Sequence, residues 1–386
     1  MQVFPSAWRC GCSRAAEAII AFLLSSTLQR GLFSFHVKIL IVKPSSLGDV
    51  LHALPAMSLL RRHFPDASIS WLVNDTFAGI VELFPGVDEI IVFRRQRWGQ
   101  LRHGFELAKF LLELRRRRFD LVIDFQGLFR SGFFTWVTGA SRRIGFKAAR
   151  EGARRFYNDP VLLPANLKHA VDKNLFLVRS ALEIPESADF PELRIRPEFA
   201  RKAMENLEEM GASGHPVLAV APAARWESKT WPPEFFAATI SEVLRQRPDT
   251  VVWLLGTLSE RQIGDQIQRL CPTLTLHNQM GATDLGTLVE LLRRSHVMLT
   301  NDSGPMHIGA ALKTPTVALF GPTSSELTGP YGEGHLVFAG QCEYRPCLQR
   351  ACPLKIQTCQ QIEPSAVASA ILSVIARKYP AKGEQP

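Results

Sequence analysis

Several common catalytic signatures are missing from this 386-residue chain, and each absence narrows what it can do. No G-x-G-x-x-G follows the first apolar run, so a dinucleotide dehydrogenase is unsupported. No G-x-x-x-x-G-K-[ST] occurs, which excludes a P-loop NTPase. There is no G-x-S-x-G elbow of the hydrolase type. Nor is there an Asp-x-Asp pair to chelate a metal on a nucleotide diphosphate, so protein groups must stabilise any diphosphate that departs here. Long hydrophobic runs are absent too. The apolar stretch Ala15 to Leu24, preceded by Arg9 and Arg14, is too short to span a bilayer and is broken by Glu17. It has the outline of a weak signal peptide without a clear cleavage site. The seven cysteines lack the paired C-x2-C knuckles of zinc ribbons. Cys342, Cys347, Cys352 and Cys359 follow a C-x4-C-x4-C-x6-C spacing, for which free packed thiols are the first expectation, with a structural metal or disulfides as alternatives.

What is present fits a globular protein with full cores: 46% hydrophobic and 21% charged residues, in a chain long enough for two domains. The net charge of +9 is unevenly spread. Between Arg94 and Arg155 there are 16 Lys/Arg against 5 Asp/Glu, a surplus of 11, so the remainder is slightly acidic. Such a patch suits an anionic partner: nucleic acid, acidic lipid head groups or a phosphorylated substrate. It lacks the interleaved aromatics along a strand that single-stranded nucleic acid calls for, so no nucleic-acid partner is expected. Part of it, Arg115 to Arg118, also reads as a solvated helix end that complements the helix dipole.

The chain is organised around VKILIVKPSSLGDVLHALP, Val37 to Pro55. Val37 to Val42 has the near-continuous apolar character of a buried parallel strand. Pro44 and Gly48 turn the chain, and a helix starting near Asp49 runs to about His63. Locally, Asp49 reads equally well as a helix cap and as a functional carboxylate. Strands and helices then alternate: strands at 67–73, 89–93, 120–125 and 142–146, with helices at 76–84 and 101–117 between them. The proline-rich stretch Ile184 to Pro197 marks a boundary, after which the pattern restarts with strands at 217–221, 250–255, 296–300 and 315–320. This predicts an α/β fold with two Rossmann-like domains facing a cleft. The divisions are an extension at 1–36 expected to be poorly ordered, domains at 37–190 and 191–363, and a C-terminal helix and tail at 364–386.

Three strand-end turns in the second half are candidates for holding a ligand. Asn301-Asp302-Ser303-Gly304-Pro305-Met306-His307 opens a helix, where Ser303 and Gly304 let backbone amides approach an anion; an ordinary cap with a packed His307 is the structural alternative. Lys229, in RWESKTWP, supplies a point charge for a phosphate. Gly321-Pro322-Thr323-Ser324 is the third.

Four motifs occur in order: ILIVKPSSLGDVLHALPA, DLVIDFQGLFRSG, ESKTWPPEFF and NDSGPMHIGAALKTPTVALFGPTSSE. Together they resemble glycosyltransferase family 9, the lipopolysaccharide heptosyltransferases, from Val37 to the C-terminus. The resemblance implies the two-domain GT-B fold, with the acceptor bound by the N-terminal domain and the nucleotide sugar by the C-terminal one. It implies inverting transfer of heptose from ADP-L-glycero-D-manno-heptose to the lipopolysaccharide inner core, without a cofactor or a metal. RRQRW, AREGARRFYND and KHAVDKN are similar to type I enzymes, whose acceptor is the Kdo of Kdo-lipid A. The tail CEYRPCLQRACPLKIQTC is more like type II, which extends the first heptose. A related enzyme using another ADP-sugar, or a non-catalytic nucleotide-sugar receptor, are the competing readings.

By the same resemblance, Asp49 is the candidate general base. Lys229, Met280, Asp302, Ser303, Gly304 and His307 would bind the nucleotide sugar, Met280 lying against the adenine. Ser45, Ser46, Gly48, Arg94, Arg95, Arg97, Arg130, Arg143 and Arg150 would meet the acidic acceptor, which gives the basic patch a purpose. Ala223, Ala224 and Arg225 stand where relatives often carry hydroxyl residues, leaving Lys229 as that loop's phosphate contact. The implied protein is a cytoplasmic monomer that touches the inner membrane transiently, where its lipid-anchored acceptor sits.

Overall fold

A computed structural model describes residues 36–98, 100–194, 196–352 and 358–379. Apart from His36, the expected extension at 1–36 lies outside these, as do Cys10, Cys12 and the tail beyond Tyr379. Val37–Pro386 forms one compact unit.

Its first half contains β1 Lys38–Val42, α1 Leu47–Leu51, α2 Leu54–His63, β2 Ser68–Asn74, α3 Asp75–Glu82, β3 Glu89–Phe93, α4 Arg95–Trp98, α5 Gly104–Arg116, β4 Leu121–Asp124, α6 Phe129–Val137, β5 Arg142–Phe146, β6 Asp159–Val161 and α7 Ala170–Leu182. The second contains α8 Pro197–Glu209, β7 Val217–Ala221, α9 Pro233–Gln246, β8 Val251–Leu254, α10 Arg261–Leu270, β9 Leu276–Asn278, α11 Leu285–Arg294, β10 Val297–Asn301, α12 Gly304–Ala311, β11 Thr316–Phe320, α13 Ser325–Thr328, β12 Leu336–Ala339 and α14 Pro364–Lys378. The strands form two six-stranded sheets, β3-β2-β1-β4-β5-β6 and β12-β11-β10-β7-β8-β9. Every pairing in both is parallel. The two orders are the same when β7 is counted as the first strand, so each sheet has a topological switch point, at β1/β4 and at β7/β10. Ligands gather beyond the carboxyl ends of strands at such points.

Burial explains the strand choices. Ile39, Leu40, Ile41 and Val42 are all fully buried, because helices cover both faces of a parallel sheet. On one face of the first sheet, Leu40, Val42, Leu72 and Val122 meet Phe110 and Leu114 of α5 and Phe134 of α6. On the other, Ile39, Ile41 and Trp71 pack with Met57 and Leu60 of α2 and Val178 of α7. The outer face of the second sheet is filled by Phe236 and Ile240 of α9 and by Ile371 and Ile375 of α14. Each fully buried Leu or Ile contributes about 1.5–3 kcal/mol.

The structure departs from the sequence pattern in a few places. The helix expected from Asp49 to His63 is two helices, broken at His52 and Ala53. Pro55 lies in the first turn of α2, where its missing N–H is harmless, whereas inside one continuous helix its ring would clash with the preceding turn. The stretch 101–117 begins as a 3-10 turn at Leu101–His103 before α5 starts. Edge strands β6, β9 and β12 have no counterpart in the sequence reading: two are three residues long, and β12 is never fully buried.

Beneath the end of β4 lies Asp124, a carboxylate with no exposure. Oδ1 accepts from the N–H groups of Gln126 (2.8 Å) and Gly127 (3.1 Å), and Oδ2 accepts from the Tyr157 hydroxyl (2.7 Å). Gly145 leaves room for that ring: a Cβ there would lie 2.4 Å from it. Desolvation raises the Asp124 pKa despite these bonds, and burial with the adjacent carboxylate pushes the Tyr157 phenol up as well. Tyr157→Phe removes one of the donors from a site without access to water, so it should lower unfolding free energy by about 1–3 kcal/mol, measured from urea denaturation midpoints.

Candidate functional site

At the end of β1, Lys43 is buried and donates from Nζ to the Phe125 carbonyl at 2.9 Å. The Lys43 carbonyl accepts from Trp71 Nε1, and Asn74 N–H reaches the Pro44 carbonyl, so this turn is clamped to β2. Ser45 N–H donates to Gln126 Oε1 at 3.3 Å, tying it to the end of β4. α1 then begins, with Asp49 at its third position. Ser46 donates to Asp49 Oδ2 twice, from its N–H (3.0 Å) and from Oγ (2.7 Å). The cap therefore occupies a single carboxylate oxygen. Oδ1 faces Lys43 Nζ at 3.8 Å, and the Asp49 side chain keeps 43% of its exposure. Desolvation pushes its pKa up, but the Lys43 charge, both Ser46 hydrogen bonds and His307 outweigh it, and the net value lies below the ordinary one. Asp49 is thus ionised at neutral pH.

On the second sheet, Asn301 ends β10 fully buried, accepting from Trp231 N–H (3.1 Å) and donating to the Pro222 carbonyl (2.7 Å). That stitch holds the Lys229 loop beside β10. Asp302 Oδ2 accepts from Thr323 Oγ1 and pairs with Lys229 Nζ, both at 2.6 Å. Lys229 also lies 4.8 Å over the Trp226 ring. All three strand-end turns therefore meet at Asp302. Ser303 caps α12, and Ser303 and Gly304 are only half buried, so their amides remain approachable. His307, one turn into α12, is buried, and desolvation lowers its pKa to about 4 although Asp302 and Asp49 both favour its charged form.

The two halves of the site meet where α1 crosses α12. A Cβ on Gly48 would lie 2.3 Å from the His307 ring, and one on Gly304 would lie 2.6 Å from the Leu47 side chain. Only glycine at both positions allows this approach. His307 Nδ1 is 3.1 Å from His52 Nε2. His52 Nδ1 is buried without a partner, and a buried lone pair is tolerated better than an unpaired N–H. The shared proton is accordingly assigned to His52 Nε2, leaving His307 to present an Nε2–H donor beside Gly48.

The remaining sequence candidates are spread more widely. Met280 is fully buried beneath Gly256, at the end of β8. Arg94, Arg95, Arg97, Arg130 and Arg150 are exposed and follow the carboxyl ends of β3, β4 and β5, the sheet edge that carries Asp49. Arg97 is paired with Glu106 at 2.6 Å. Arg130 lies 5.8 Å over the Phe93 ring, and burial and then the Arg95 charge lower its pKa. Arg143 is not offered to the cleft in the same way: its guanidinium donates to the Phe156 (3.0 Å) and Ala140 (2.6 Å) carbonyls. Asn301 and Thr323, from two of the candidate turns, complete the site together with Lys43 and His52, which the sequence does not single out. For His52 the local signal is its place one turn after Asp49, but its partner is 255 residues away.

The cysteine-bearing segment serves as a brace. Ser228 receives support from the Arg350 carbonyl through its N–H and from the Gln349 carbonyl through Oγ (2.7 Å), and Gln360 Nε2 donates to the Glu227 carbonyl. Cys271, Cys342, Cys347 and Cys359 form no disulfide, and among the described residues no group of three or more His, Cys, Asp or Glu is arranged to hold a metal ion. A separate cavity lined by Arg61, Glu82, Asp88 and Arg196 lies near the amino end of β3, away from these groups, and its charges pair internally.

Two parallel six-stranded Rossmann-like sheets, with Asp49 at the switch point of one and the start of α12 at that of the other, give the GT-B glycosyltransferase architecture. The model of glycosyltransferase family 9 (heptosyltransferase) matches residues 107–357, and the chain belongs to that family. It is 31% identical to lipopolysaccharide heptosyltransferase 1 of Pseudomonas aeruginosa over 82% of this chain and 87% of that protein. Identity to lipooligosaccharide heptosyltransferase 2 of Campylobacter jejuni is 27%, over 86% of this chain and 96% of the relative. Among solved structures, E. coli heptosyltransferase WaaC with ADP superposes with a TM-score of 0.69 at 25% identity, covering 88% of this chain and all of that one.

Removing a partner that lowers the Asp49 pKa should raise it. Ser46→Ala is therefore expected to move the titration of the Asp49 carboxyl, followed by NMR, to higher pH, as the carboxylate gains its proton sooner on acidification.

Proposed function

We propose that this glycosyltransferase is a lipopolysaccharide heptosyltransferase that moves heptose from ADP-L-glycero-D-manno-heptose to the inner core, with the Kdo of Kdo-lipid A as acceptor. The observation that carries this reading is the convergence of Asp49 with His307 and the Lys229–Asp302 pair where α1 crosses α12. The type I acceptor is favoured by the higher identity to a heptosyltransferase 1 and by the arginines after β3 and β4.

In this mechanism the acceptor hydroxyl gives its proton to Asp49 Oδ1, the oxygen that the Ser46 cap leaves free. The acceptor oxygen forms a bond to the anomeric carbon as the bond from that carbon to the diphosphate oxygen breaks on the opposite face, so the configuration inverts. Charge that develops on the departing ADP is met by Lys229, by the Ser303 and Gly304 amides and by His307 Nε2–H. Lys229 is poised by Asp302 and exchanges that carboxylate for phosphate when the donor binds. No step requires a metal or a cofactor. Met280, fully buried beneath Gly256, supports the adenine side from behind, and Ser45, Gly48 and the exposed arginines hold the acceptor. The enzyme works as a cytoplasmic monomer at the inner membrane surface; among the described residues no helix is long and apolar enough to cross a membrane.

A transfer assay with ADP-heptose and either Kdo-lipid A or heptosylated acceptor tests this, with ADP release expected for the first. Release with the heptosylated acceptor alone assigns the type II reaction instead, and release with neither overturns the reading. Asp49→Asn should retain ADP binding by calorimetry while kcat falls by about 10²- to 10⁴-fold. Retained turnover removes Asp49 from the role of base.

A further inference from the structure

Away from the cleft, α5 and α6 lie side by side on one face of the first sheet, where Phe110, Leu114 and Phe134 enter a shared core. Opposite those buried residues, each helix exposes large apolar side chains at a spacing of seven. On α6 these are Phe129 (54% exposed) and Trp136 (53%), with half-buried Phe133 between them. On α5 they are Phe105 (85%) and Leu112 (51%), alternating with exposed Lys109 and Arg116 along one helical stripe. Phe156 joins the α6 set, its ring centroid 5.4 Å from Phe129, 6.2 Å from Phe133 and 6.5 Å from Trp136. Four aromatic rings thus form one outward cluster, bordered by exposed Arg130, Arg154 and Arg155. The exposed Glu151 carboxylate accepts from the Phe129 N–H at 3.2 Å.

Among the described residues nothing covers Phe105, Leu112, Phe129 or Trp136. Exposed aromatics lose favourable burial, and contiguous apolar patches on a folded protein mark an interaction site. Tryptophan and phenylalanine prefer the boundary between head groups and acyl chains, while arginine and lysine are drawn to the negative potential of anionic lipids. Aromatic centre, cationic border and a region with a charge surplus of 11 match that boundary in both polarity and sign. A protein partner of ordinary composition would not require so one-sided a charge.

We propose that the outward face of α5 and α6, with Phe129, Phe133, Trp136 and Phe156 at its centre, is the surface by which the protein docks reversibly on an anionic phospholipid bilayer. The aromatic rings insert at head-group depth, and Arg154, Arg155, Lys109 and Arg116 pair with lipid phosphates. The proposal extends the membrane-associated acceptor reading above, but vesicle binding by itself does not depend on it.

The test uses the full chain and two double variants, F129S/W136S and R154Q/R155Q, checked for folding by circular dichroism and thermal melting. Co-sedimentation is measured with phosphatidylglycerol-rich and with pure phosphatidylcholine vesicles. The expected result is binding of the native chain to anionic vesicles only, weakened by added salt, with each variant losing about tenfold or more in partitioning. Transfer to a deacylated, water-soluble acceptor should be unchanged in both variants, while transfer to acceptor embedded in vesicles falls. Variants that bind like the native chain, or a native chain that binds neither vesicle, overturn the proposal. So does self-association that the variants abolish without any vesicle binding, which would assign the face to a second copy. Vesicle binding without transfer to either acceptor leaves the docking surface standing and refutes the heptosyltransferase reading instead.

Discussion

Close approach of two helix starts, one from each sheet, is the constraint on which the site depends. α1 carries Asp49 and α12 carries His307, and they touch through a pair of positions that have no side chain, Gly48 against the His307 ring and Gly304 against Leu47. A Cβ at Gly48 would displace the buried His307 ring, and one at Gly304 would displace the Leu47 side chain, so either would disturb the contact between the carboxylate helix and the start of α12. The contact also joins His307 to His52, so the imidazole that faces the cleft has its orientation set from the opposite domain. Domain arrangement and proton placement are thereby a single structural property.

Charge in the site is balanced before any substrate arrives. Lys43 sits against Asp49, and Lys229 against Asp302, each pair joining a cation to a carboxylate at a strand end. A buried or half-buried charge without a partner is strongly unfavourable, so both pairs preserve the unliganded fold. The pairs differ in consequence. Lys43 has a second fixed acceptor in the Phe125 carbonyl and acts as a permanent electrostatic support. Lys229 has Asp302 and the face of Trp226, both of them side-chain contacts.

Much of this was legible in the amino-acid order, because strand-end turns announce themselves. Val37 to Gly48, the Lys229 loop and Asp302 to His307 each combine an apolar run with turn residues and a chemically distinctive side chain, and the structure brings the last two and Thr323 together. Position along the chain says less about direction. Arg143 belongs to the same basic stretch as Arg130, yet two backbone carbonyls take its guanidinium. A composition count cannot separate an arginine that faces solvent from one that secures a loop. His52 was hidden for another reason: its meaning comes from a residue on the other sheet, and no local pattern encodes that pairing. Of the two readings of Asp49, the cap uses only Oδ2, while Oδ1 faces Lys43 and takes no part in capping.

The brace formed by the cysteine-bearing segment bears on how the molecule matures. Ser228, next to Lys229, leans on carbonyls of Gln349 and Arg350, which come after every strand of both sheets in the chain. A growing polypeptide could therefore complete both sheets and still present an unsupported Lys229 loop. Support of the Lys229 loop is thus among the last contacts that the chain acquires during synthesis.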